Sequence, residues 1–532
     1  MSNSRTFRLV PSLLAFTILL SAAPALAQTT APPFYPLEIT NIGPIGVNGL
    51  NGNNRIFRAY PGLEYNIRAA VVGGVYPFRY SLSNAPSGMT INPNTGEIVW
   101  PNPQANASNI TLTVQDQAGT SRTATWSITV STNGFKFLDA TNGRNAANNG
   151  CTSSCGTGTQ TNPWRTLGDL SLNDSAIDIT YFKNGVYSVL DTPDSVRSGR
   201  VIFSDRPGAS VPGSVMWIAY PGHQPTLDFG YRPGVTTGNT LRHNGDNVYI
   251  DGFEGINSYH IALQFEPTSN WRGGTYRRLR MHELGPGGDG TNSAYIMTVS
   301  TYPNVSYGLV IQDSSFYDLR IDDADAACTI KIYSQLKMLI EDTVQFNGIK
   351  ATEIKADVRQ YTVRANTFYN LTGNAIGGNM HGCVGCNGGA DSFTTGGEIL
   401  FNNVRGPGQA LELNQDGFAI RTHVYRNTFR GRVGVVRTDS ADGPFYISNN
   451  VIVSNDAGTP SGSHIYNFEV TDPSRVVLSN NLVGYPADNI IDSQGNLTPA
   501  YAQYVGSRGY QTSGGTQTTP PPAAPSNVRI VR

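Results

Sequence analysis

A short motif, an asparagine followed by apolar residues or threonine, returns along the second half of the chain. Successive copies are separated by 37, 24, 23 and 31 residues. Apolar residues in alternating segments recur at 22, 22, 37 and 23 residues. A β-rich unit of 22–24 residues, lengthened in places by loops, is typical of a solenoid. The motif asparagines are Asn366, Asn403, Asn427, Asn450 and Asn481, and the apolar residues predicted to face inward are Ile332, Ile354, Ile376, Leu413 and Val436.

This repeat predicts a right-handed parallel β-helix over residues 135–505, because its units alternate like strands and show no helical period. The composition agrees, since 58 glycines and only 14% charged residues are typical of an all-β chain with many turns. The repeated asparagines are predicted to form a structural ladder of turn amides rather than a ligand site. A net charge of −1 gives no electrostatic reason to expect nucleic acid as a partner.

The N-terminus has the features of a secretory signal. Arg5 and Arg8 supply positive charge, residues 9–20 are largely apolar, and Ala25-Leu-Ala27 is a small-residue cleavage site. We therefore expect residues 1–27 to be removed and the protein to be secreted, to the extracellular space or the periplasm. The apolar run is too short to span a membrane and no later run approaches it, so no membrane association is expected.

Five cysteines occur in this exported chain. Cys151 with Cys155, and Cys383 with Cys386, are close enough in sequence to form loop disulfides in an oxidising compartment. His381 together with the second pair is an alternative metal site. Cys328 lies in a predicted strand and is expected to be a buried free thiol.

A separate module precedes the solenoid. Residues 37–131 contain short alternating strands at 65–72, 110–114 and 124–130, which predict a β-sandwich. The segment from Tyr76 to Trp100 resembles the immunoglobulin-like or cadherin-like modules of bacterial secreted proteins, which implies a spacer or a weak carbohydrate binder. Residues 506–532 form a Ser/Thr/Pro-rich tail that we expect to be flexible.

The start of the solenoid also resembles a known superfamily. The strand at Phe135 is followed by a glycine-rich loop and by NPWRTL at residues 162–167. This order resembles the opening of pectate-lyase-like parallel β-helices. A short helix from Pro163 to about Leu170 would then cap the first coil. Members of this superfamily are often enzymes that act on acidic polysaccharides.

The residues beside the inward positions are predicted to share one outer face. Strands in a sheet lie about 4.8 Å apart, so side chains on successive coils form columns. Two long segments flank this face, residues 315–328 and 381–397. Long loops on a rigid scaffold commonly carry function. The predicted residues on the face are Lys331, Tyr333, Glu353, Lys355, Asp357, Asn379, Glu412, Asn414, Asp416, Arg437 and Asp439, and those on the loops are Asp322, Asp323, Asp325 and His381.

Lys355 followed by a strand ending in NTF resembles the alginate lyase and chondroitinase B family. That family's arginine before a His-Gly pair is absent, because Asn379 and Met380 stand before His381-Gly382. The resemblance implies β-elimination on a uronate chain, with Lys355 as the base. The acid would come from His381, Tyr333 or Arg437. Calcium would neutralise the substrate carboxylate, held by Asp322, Asp323, Asp325, Glu353 and Asp357 in a site similar to those of calcium-dependent pectate lyases.

The substrate expected on this reading is an acidic polysaccharide, bound by a monomer. Its predicted contacts are Lys331, Asn379, Glu412, Asn414, Asp416 and Asp439. Two other classes of function remain open. A polygalacturonase-type glycoside hydrolase would use paired carboxylates such as Glu412, Asp416 and Asp439. A non-catalytic carbohydrate-binding or adhesive protein would use none of this chemistry.

Overall fold

The computed structural model describes residues 34–173, 178–191, 200–202, 216–231, 240–243, 247–259, 261–265, 272–284, 293–298, 305–319, 327–355, 358–379, 396–406, 409–414, 421–438, 443–455, 465–504, 508–510 and 529–531. From residue 135 onward the chain visits three sheets in turn, and each sheet pairs its strands in parallel with those of the neighbouring coil. The prediction of an all-β chain built as a parallel β-helix is confirmed.

The three sheets are named here in the order in which each coil enters them. The first sheet contains Phe135–Leu138, Ile179–Phe182, Met216–Ala219, Tyr249–Asp251, Thr275–Arg277, Val310–Gln312, Leu339–Glu341, Val358–Arg364, Gly396–Leu400, Thr422–Tyr425, Phe445–Ser448 and Val476–Ser479, with Ser306–Tyr307 and Gln335–Leu336 at its side. The second contains Val186–Ser188, Thr226–Asp228, Glu254–Ile256, Arg280–Met281, Ser315–Tyr317, Val344–Gly348, Thr367–Leu371, Asn403–Val404, Thr428–Arg430, Val451–Val453, Asn481–Gly484 and the antiparallel Arg529–Val531. The third contains Arg200–Ile202, Thr240–His243, Ile261–Phe265, Ala294–Thr298, Cys328–Ile332, Lys350–Ile354, Ile376–Asn379, Gln409–Asn414, Arg432–Thr438 and Tyr466–Val470.

A short α-helix, Leu167–Asn173, closes the first coil. Leu167 and Leu170 are fully buried, and they join Trp164 in the apolar core that runs through the solenoid. The predicted cap is therefore present, a few residues later than expected. The short 3₁₀ turns are Val47–Gly49, Arg55–Phe57, Ala147–Asn149, Val189–Asp191, Pro473–Arg475, Pro486–Asp488 and Pro499–Tyr504.

The buried asparagine ladder forms as predicted, with one change of residue. Each asparagine side chain donates its amide to the side-chain oxygen of the next, as in the 2.9 Å contact from Asn402 to Asn427 and the 3.0 Å contact from Asn427 to Asn450. The same amides also donate to backbone carbonyls of the first sheet, as Asn427 does to Ile399 at 2.8 Å. The ladder uses Asn402 where the sequence suggested Asn403, because two asparagines are adjacent there.

The predicted inward alignment on the third sheet is correct for one pair and slips elsewhere. Ile332 pairs with Ile354, and both are in the core. Ile376 is also in the core but pairs with Thr352, two residues before the expected partner. Val436 was wrong as an inward residue, because Leu413 pairs with Val435 and Val435 is the one in the core.

The N-terminal module is a sandwich whose strands pair in antiparallel fashion, except that Arg58–Ala59 pairs in parallel with Ser121–Val130. Its elements are Glu38–Ile39, Arg58–Ala59, Tyr65–Arg68, Val71–Val72, Arg79–Ser83, Thr90–Ile91, Glu97–Trp100, Ala107–Gln115 and Ser121–Val130. These form a four-stranded sheet, a three-stranded sheet and one isolated pair around a separate apolar core.

The sandwich packs onto the outer face of the first sheet, and residues 34–532 form one compact unit. Arg68 of the sandwich forms ion pairs with Asp313 and Asp342 of the solenoid. In the other direction, Arg277 binds Glu97 at 2.8 Å. The outer face of the first sheet is therefore covered here, whereas the outer face of the third sheet carries the predicted site.

Candidate functional site

Two lysines and one glutamate, Lys331, Glu353 and Lys355, form a cluster on the third sheet that we call the lysine–glutamate cluster. Lys355 Nζ lies 2.7 Å from Glu353 Oε1, and Lys331 Nζ lies 3.3 Å from Glu353 Oε2. Lys331 and Glu353 are direct partners in the parallel ladder, which places their side chains side by side. The prediction that these three residues lie close together on the third sheet is therefore correct.

The cluster differs in exposure from one member to the next. Lys331 and Glu353 are buried, whereas the Lys355 side chain is 16% exposed. The backbone N–H of Lys355 donates to the Ile332 carbonyl at 2.8 Å and continues the ladder past the end of the strand. Lys355 is thus the member of the cluster that a ligand on the outer face meets first.

The charges of the cluster support one another. Burial alone raises the pKa of Glu353, but the nearby ammonium groups of Lys331 and Lys355 hold that pKa below its ordinary value. Burial alone lowers the pKa of Lys331, yet Cys328 and Glu353 raise it overall. Two positive groups around one carboxylate leave a net positive charge, which suits an anionic ligand.

Two further side chains complete the immediate surroundings. Burial raises the pKa of Tyr333 to about 12, so its phenol stays protonated and can donate a proton or a hydrogen bond. Tyr333 lies close enough to Lys331 and Glu353 for their charges to act on its phenol, and its ring packs against the cluster of Ile261, Ala294 and Met297. The Cys328 thiol is buried, as predicted for a free cysteine, and donates to Glu353 Oε2 at 3.5 Å.

A row of small and acidic residues continues from the cluster along the sheet. The ladder pairs Glu353 with Gly377, Gly377 with Glu412, and Glu412 with Gly434. A Cβ atom built on Gly377 meets only Asn374, at 3.5 Å, so packing does not require glycine there. The row therefore has room for a methyl group between the two glutamates.

Three further predicted site residues are placed by the strands in which they lie. Asn379 and Asn414 are ladder partners by their backbones, and Arg437 lies within the strand Arg432–Thr438. The other predictions lie outside the described residues and stay predictions, namely Asp322, Asp323, Asp325, Asp357, His381, Cys383, Cys386, Asp416 and Asp439.

The calcium prediction has no support among the described residues. There, no three His, Cys, Asp or Glu side chains come together as a metal site. Both carboxylate oxygens of Glu353 are engaged by lysine ammonium groups, which is not an arrangement for holding a cation. The prediction consequently depends on the acidic residues beyond the described part of the chain.

Sequence reasoning missed a second titratable pair, on the first sheet. Glu398 and His423 are ladder partners, and both are buried. Phe34 and Tyr35 cover them, with the Phe34 ring 5.0 Å from His423 and the Tyr35 N–H donating to Glu398 Oε1 at 2.8 Å. Alternation with Ile399 and Val424 predicts the outward direction, but the covering segment comes from more than 360 residues earlier and leaves no local signal.

The disulfide prediction is confirmed for one of the two cysteine pairs. Cys151 and Cys155 form the predicted disulfide. Across the residues that the structure describes, no helix has the length and hydropathy needed to cross a membrane.

The fold and site together define an all-β protein in which an immunoglobulin-like sandwich is docked on a parallel β-helix. Residues 55–131 match the family described as "Putative Ig domain", which confirms the immunoglobulin-like prediction for this segment. A solved structure described as "Rhamnogalacturonan lyase" is similar to this chain, with a TM-score of 0.44 and 11% sequence identity. The similarity covers 70% of this chain and 99% of that one. No curated protein matches the sequence.

Proposed function

We propose that this protein is a secreted, monomeric polysaccharide lyase that cleaves a uronate-containing chain by β-elimination on the outer face of the third sheet. The observation that carries the proposal is the lysine–glutamate cluster. It presents a partly exposed ammonium, Lys355, beside a second ammonium and a protonated phenol. This combination supplies a base, charge neutralisation and an acid within one surface.

The elimination needs three events. The positive charge of the cluster stabilises the uronate carboxylate as negative charge develops on it. Lys355, in its neutral form, takes the proton from the carbon beside that carboxylate. The electron pair forms a carbon–carbon double bond and the linked sugar leaves, with Tyr333 as the donor of a proton to the departing oxygen. The product has a new unsaturated uronate end.

The contact between Lys355 and Glu353 sets a condition on this chemistry. Glu353 Oε1 lies 2.7 Å from Lys355 Nζ and fixes the position of that nitrogen on the outer face. The proposed base therefore depends on Glu353 for its placement. Glu353→Gln replaces the ion pair with a weaker hydrogen bond, so we expect a lower kcat at every calcium concentration.

The same variant separates this role from metal binding. If Glu353 is a calcium ligand, Glu353→Gln raises the calcium concentration needed for activity, and excess calcium restores the rate. Glu469→Gln is the matched control, because Glu469 is an exposed glutamate on the same sheet and lies outside the cluster. Rates are measured over a range of calcium concentrations and in the presence of a chelator.

The glycine between the two glutamates provides a second test. Gly377→Leu places an apolar side chain between Glu353 and Glu412, where the substrate would lie, and Gly377→Ala adds only a Cβ that fits. We expect the leucine variant to raise KM strongly and the alanine variant to stay close to wild type. Equal activity of both variants would show that the substrate does not cross this row.

One observation favours a hydrolase as a second candidate. Glu353 and Glu412 are two ladder steps apart, roughly 10 Å between backbones, with a glycine between them. Inverting glycosidases place their carboxyl groups about 6.5–9.5 Å apart. A hydrolase releases reducing ends without the ultraviolet absorbance of an unsaturated uronate, which distinguishes the two reactions on the same substrate.

A further inference from the structure

A cavity lies between the sandwich and the first sheet, away from the lysine–glutamate cluster. Its volume is about 240 Å³. The sandwich contributes Arg55 and Glu64 to its wall, and the solenoid contributes Tyr181, Tyr220 and Arg278. The cavity therefore exists only where the two parts of the chain meet.

Two buried polar atoms on residues lining this cavity have no hydrogen-bond partner within the described chain. They are Arg55 Nε and the Tyr181 hydroxyl, on residues that are each only 1% exposed. Buried polar groups are nearly always hydrogen-bonded, and leaving one unsatisfied costs about 1–3 kcal/mol. These two orphaned groups indicate that something polar completes the site.

Arg55 also lacks a counter-ion among the described residues. Its guanidinium donates to the Arg58 carbonyl and lies over the Tyr65 ring, with 4.6 Å between the guanidinium carbon and the ring centroid. Neither contact supplies negative charge, and Arg58 adds a second positive group nearby. Because a buried charge is costly without a partner, an anionic group against Arg55 would be strongly favoured.

The rest of the wall suits hydroxyl groups and a flat ring. The Glu64 carboxylate is partly exposed and can accept hydrogen bonds from hydroxyls. Arg278 is fixed by its Nε donating to Asp251 at 2.6 Å, which orients the remaining guanidinium nitrogens. Tyr220 offers an aromatic ring of the kind on which the apolar face of a sugar packs.

We propose that this cavity binds one sugar-acid unit, with its carboxylate on Arg55 and its hydroxyls on Glu64 and Tyr181. The volume is below the range of about 300–1,000 Å³ typical of pockets for drug-sized ligands, which favours a single monosaccharide. The inference does not depend on catalysis at Lys355. Since both parts of the chain contribute, the ligand would also strengthen docking of the sandwich.

The test uses the full-length secreted protein and three free sugars: galacturonate, glucuronate and neutral galactose. Binding is measured by ligand-detected NMR and by thermal unfolding, in wild type, Arg55→Gln, Glu64→Gln and Lys355→Ala. We expect at least one uronate to bind and to raise Tm, with galactose at least tenfold weaker. Arg55→Gln should weaken uronate binding at least tenfold, Glu64→Gln by a smaller factor, and Lys355→Ala should leave it unchanged.

Glu64→Gln keeps the proposal falsifiable if Arg55→Gln fails to fold, because Glu64 lies at the partly exposed wall. Absence of uronate binding to the wild type, or equal binding of galactose, would overturn the proposal and leave a cavity that holds only water. Binding that is lost in Lys355→Ala but kept in Glu64→Gln would also overturn it and would place the sugar on the third sheet instead. Loss of catalysis in Lys355→Ala with cavity binding intact keeps the two sites distinct.

Discussion

Glu398 should make folding stability fall with rising pH. Its side chain is 1% exposed, and burial raises its pKa from 4.5 to about 8 despite the N–H of Tyr35 donating to it. In the unfolded chain the carboxyl ionises near 4.5, whereas in the folded protein it keeps its proton until about 8. Folding therefore binds a proton between these values, and stability must decrease as pH rises through that window.

The size of the effect follows from the two values. At ~1.4 kcal/mol for each pH unit, the difference between 4.5 and about 8 corresponds to ~5 kcal/mol as an upper figure. Glu398→Gln carries no titrating proton and removes this loss. We expect the variant to be close to wild type near pH 5 and more stable than wild type by several kcal/mol near pH 9.

The assay is urea unfolding followed by circular dichroism at several pH values. Glu469→Gln is the matched control, because Glu469 is exposed on the third sheet and its substitution should change stability little at any pH. A Glu398→Gln variant whose stability relative to wild type does not change between pH 5 and pH 9 would refute the reasoning.

Three other predictions concern the fold. Burial and the charge of Arg421 lower the pKa of His423 from 6.5 to about 4, so the folded wild type loses stability as pH falls through that window. His423→Gln has no proton to bind there and should become more stable relative to wild type. If the difference in unfolding free energy between the two proteins is the same at pH 7 and pH 4.5 in urea unfolding, this prediction is wrong. Asn427→Ala should lower the free energy of unfolding by about 3 kcal/mol, because it removes the acceptor for the side-chain amide and the backbone N–H of Asn402. A loss below about 1 kcal/mol in the same assay would refute the stabilising role of the ladder. A chain starting at Gly134 lacks the sandwich and should still act on soluble substrate. It should unfold at a lower temperature, because removal of the sandwich exposes Arg277 and its neighbours. An unchanged Tm would show that docking of the sandwich contributes nothing to thermal stability.

The repeat carried most of the information on fold. Alternation and spacing sufficed to predict the parallel β-helix and the asparagine ladder, because both depend on local pattern. The capping helix was predicted from the resemblance of residues 162–167 to the opening of pectate-lyase-like β-helices. Register was predictable only where one apolar residue stood between polar neighbours, as at Ile332 and Ile354. At Val435 and Val436 two adjacent valines satisfied the same pattern, and the choice between them was made by packing against Leu413.

The site was predictable to the extent that it depends on a single strand pair. The sequence predicted that Lys331, Glu353 and Lys355 lie together because it aligned Ile332 with Ile354, and the structure pairs these two residues. The ion pairs within that cluster were not foreseen, and they change the expected role of Glu353 from metal ligand to ion-pair partner of Lys331 and Lys355. Contacts between the sandwich and the first sheet join residues far apart in sequence, 180 positions in the case of Arg277 and Glu97, and no local pattern reveals them.

Cleavage of uronate polysaccharides by wild type and Lys355→Ala tests the central claim most directly. The purified proteins are assayed against a panel of acidic polysaccharides by the ultraviolet absorbance of the unsaturated product, with circular dichroism to confirm folding. We predict product from at least one substrate with wild type, a loss of about 10²–10⁴-fold in rate with Lys355→Ala, and little or no rescue by Lys355→Arg, whose guanidinium is much harder to deprotonate. Near-wild-type elimination by a folded Lys355→Ala variant, or no depolymerisation of any acidic polysaccharide by the wild type, would contradict it.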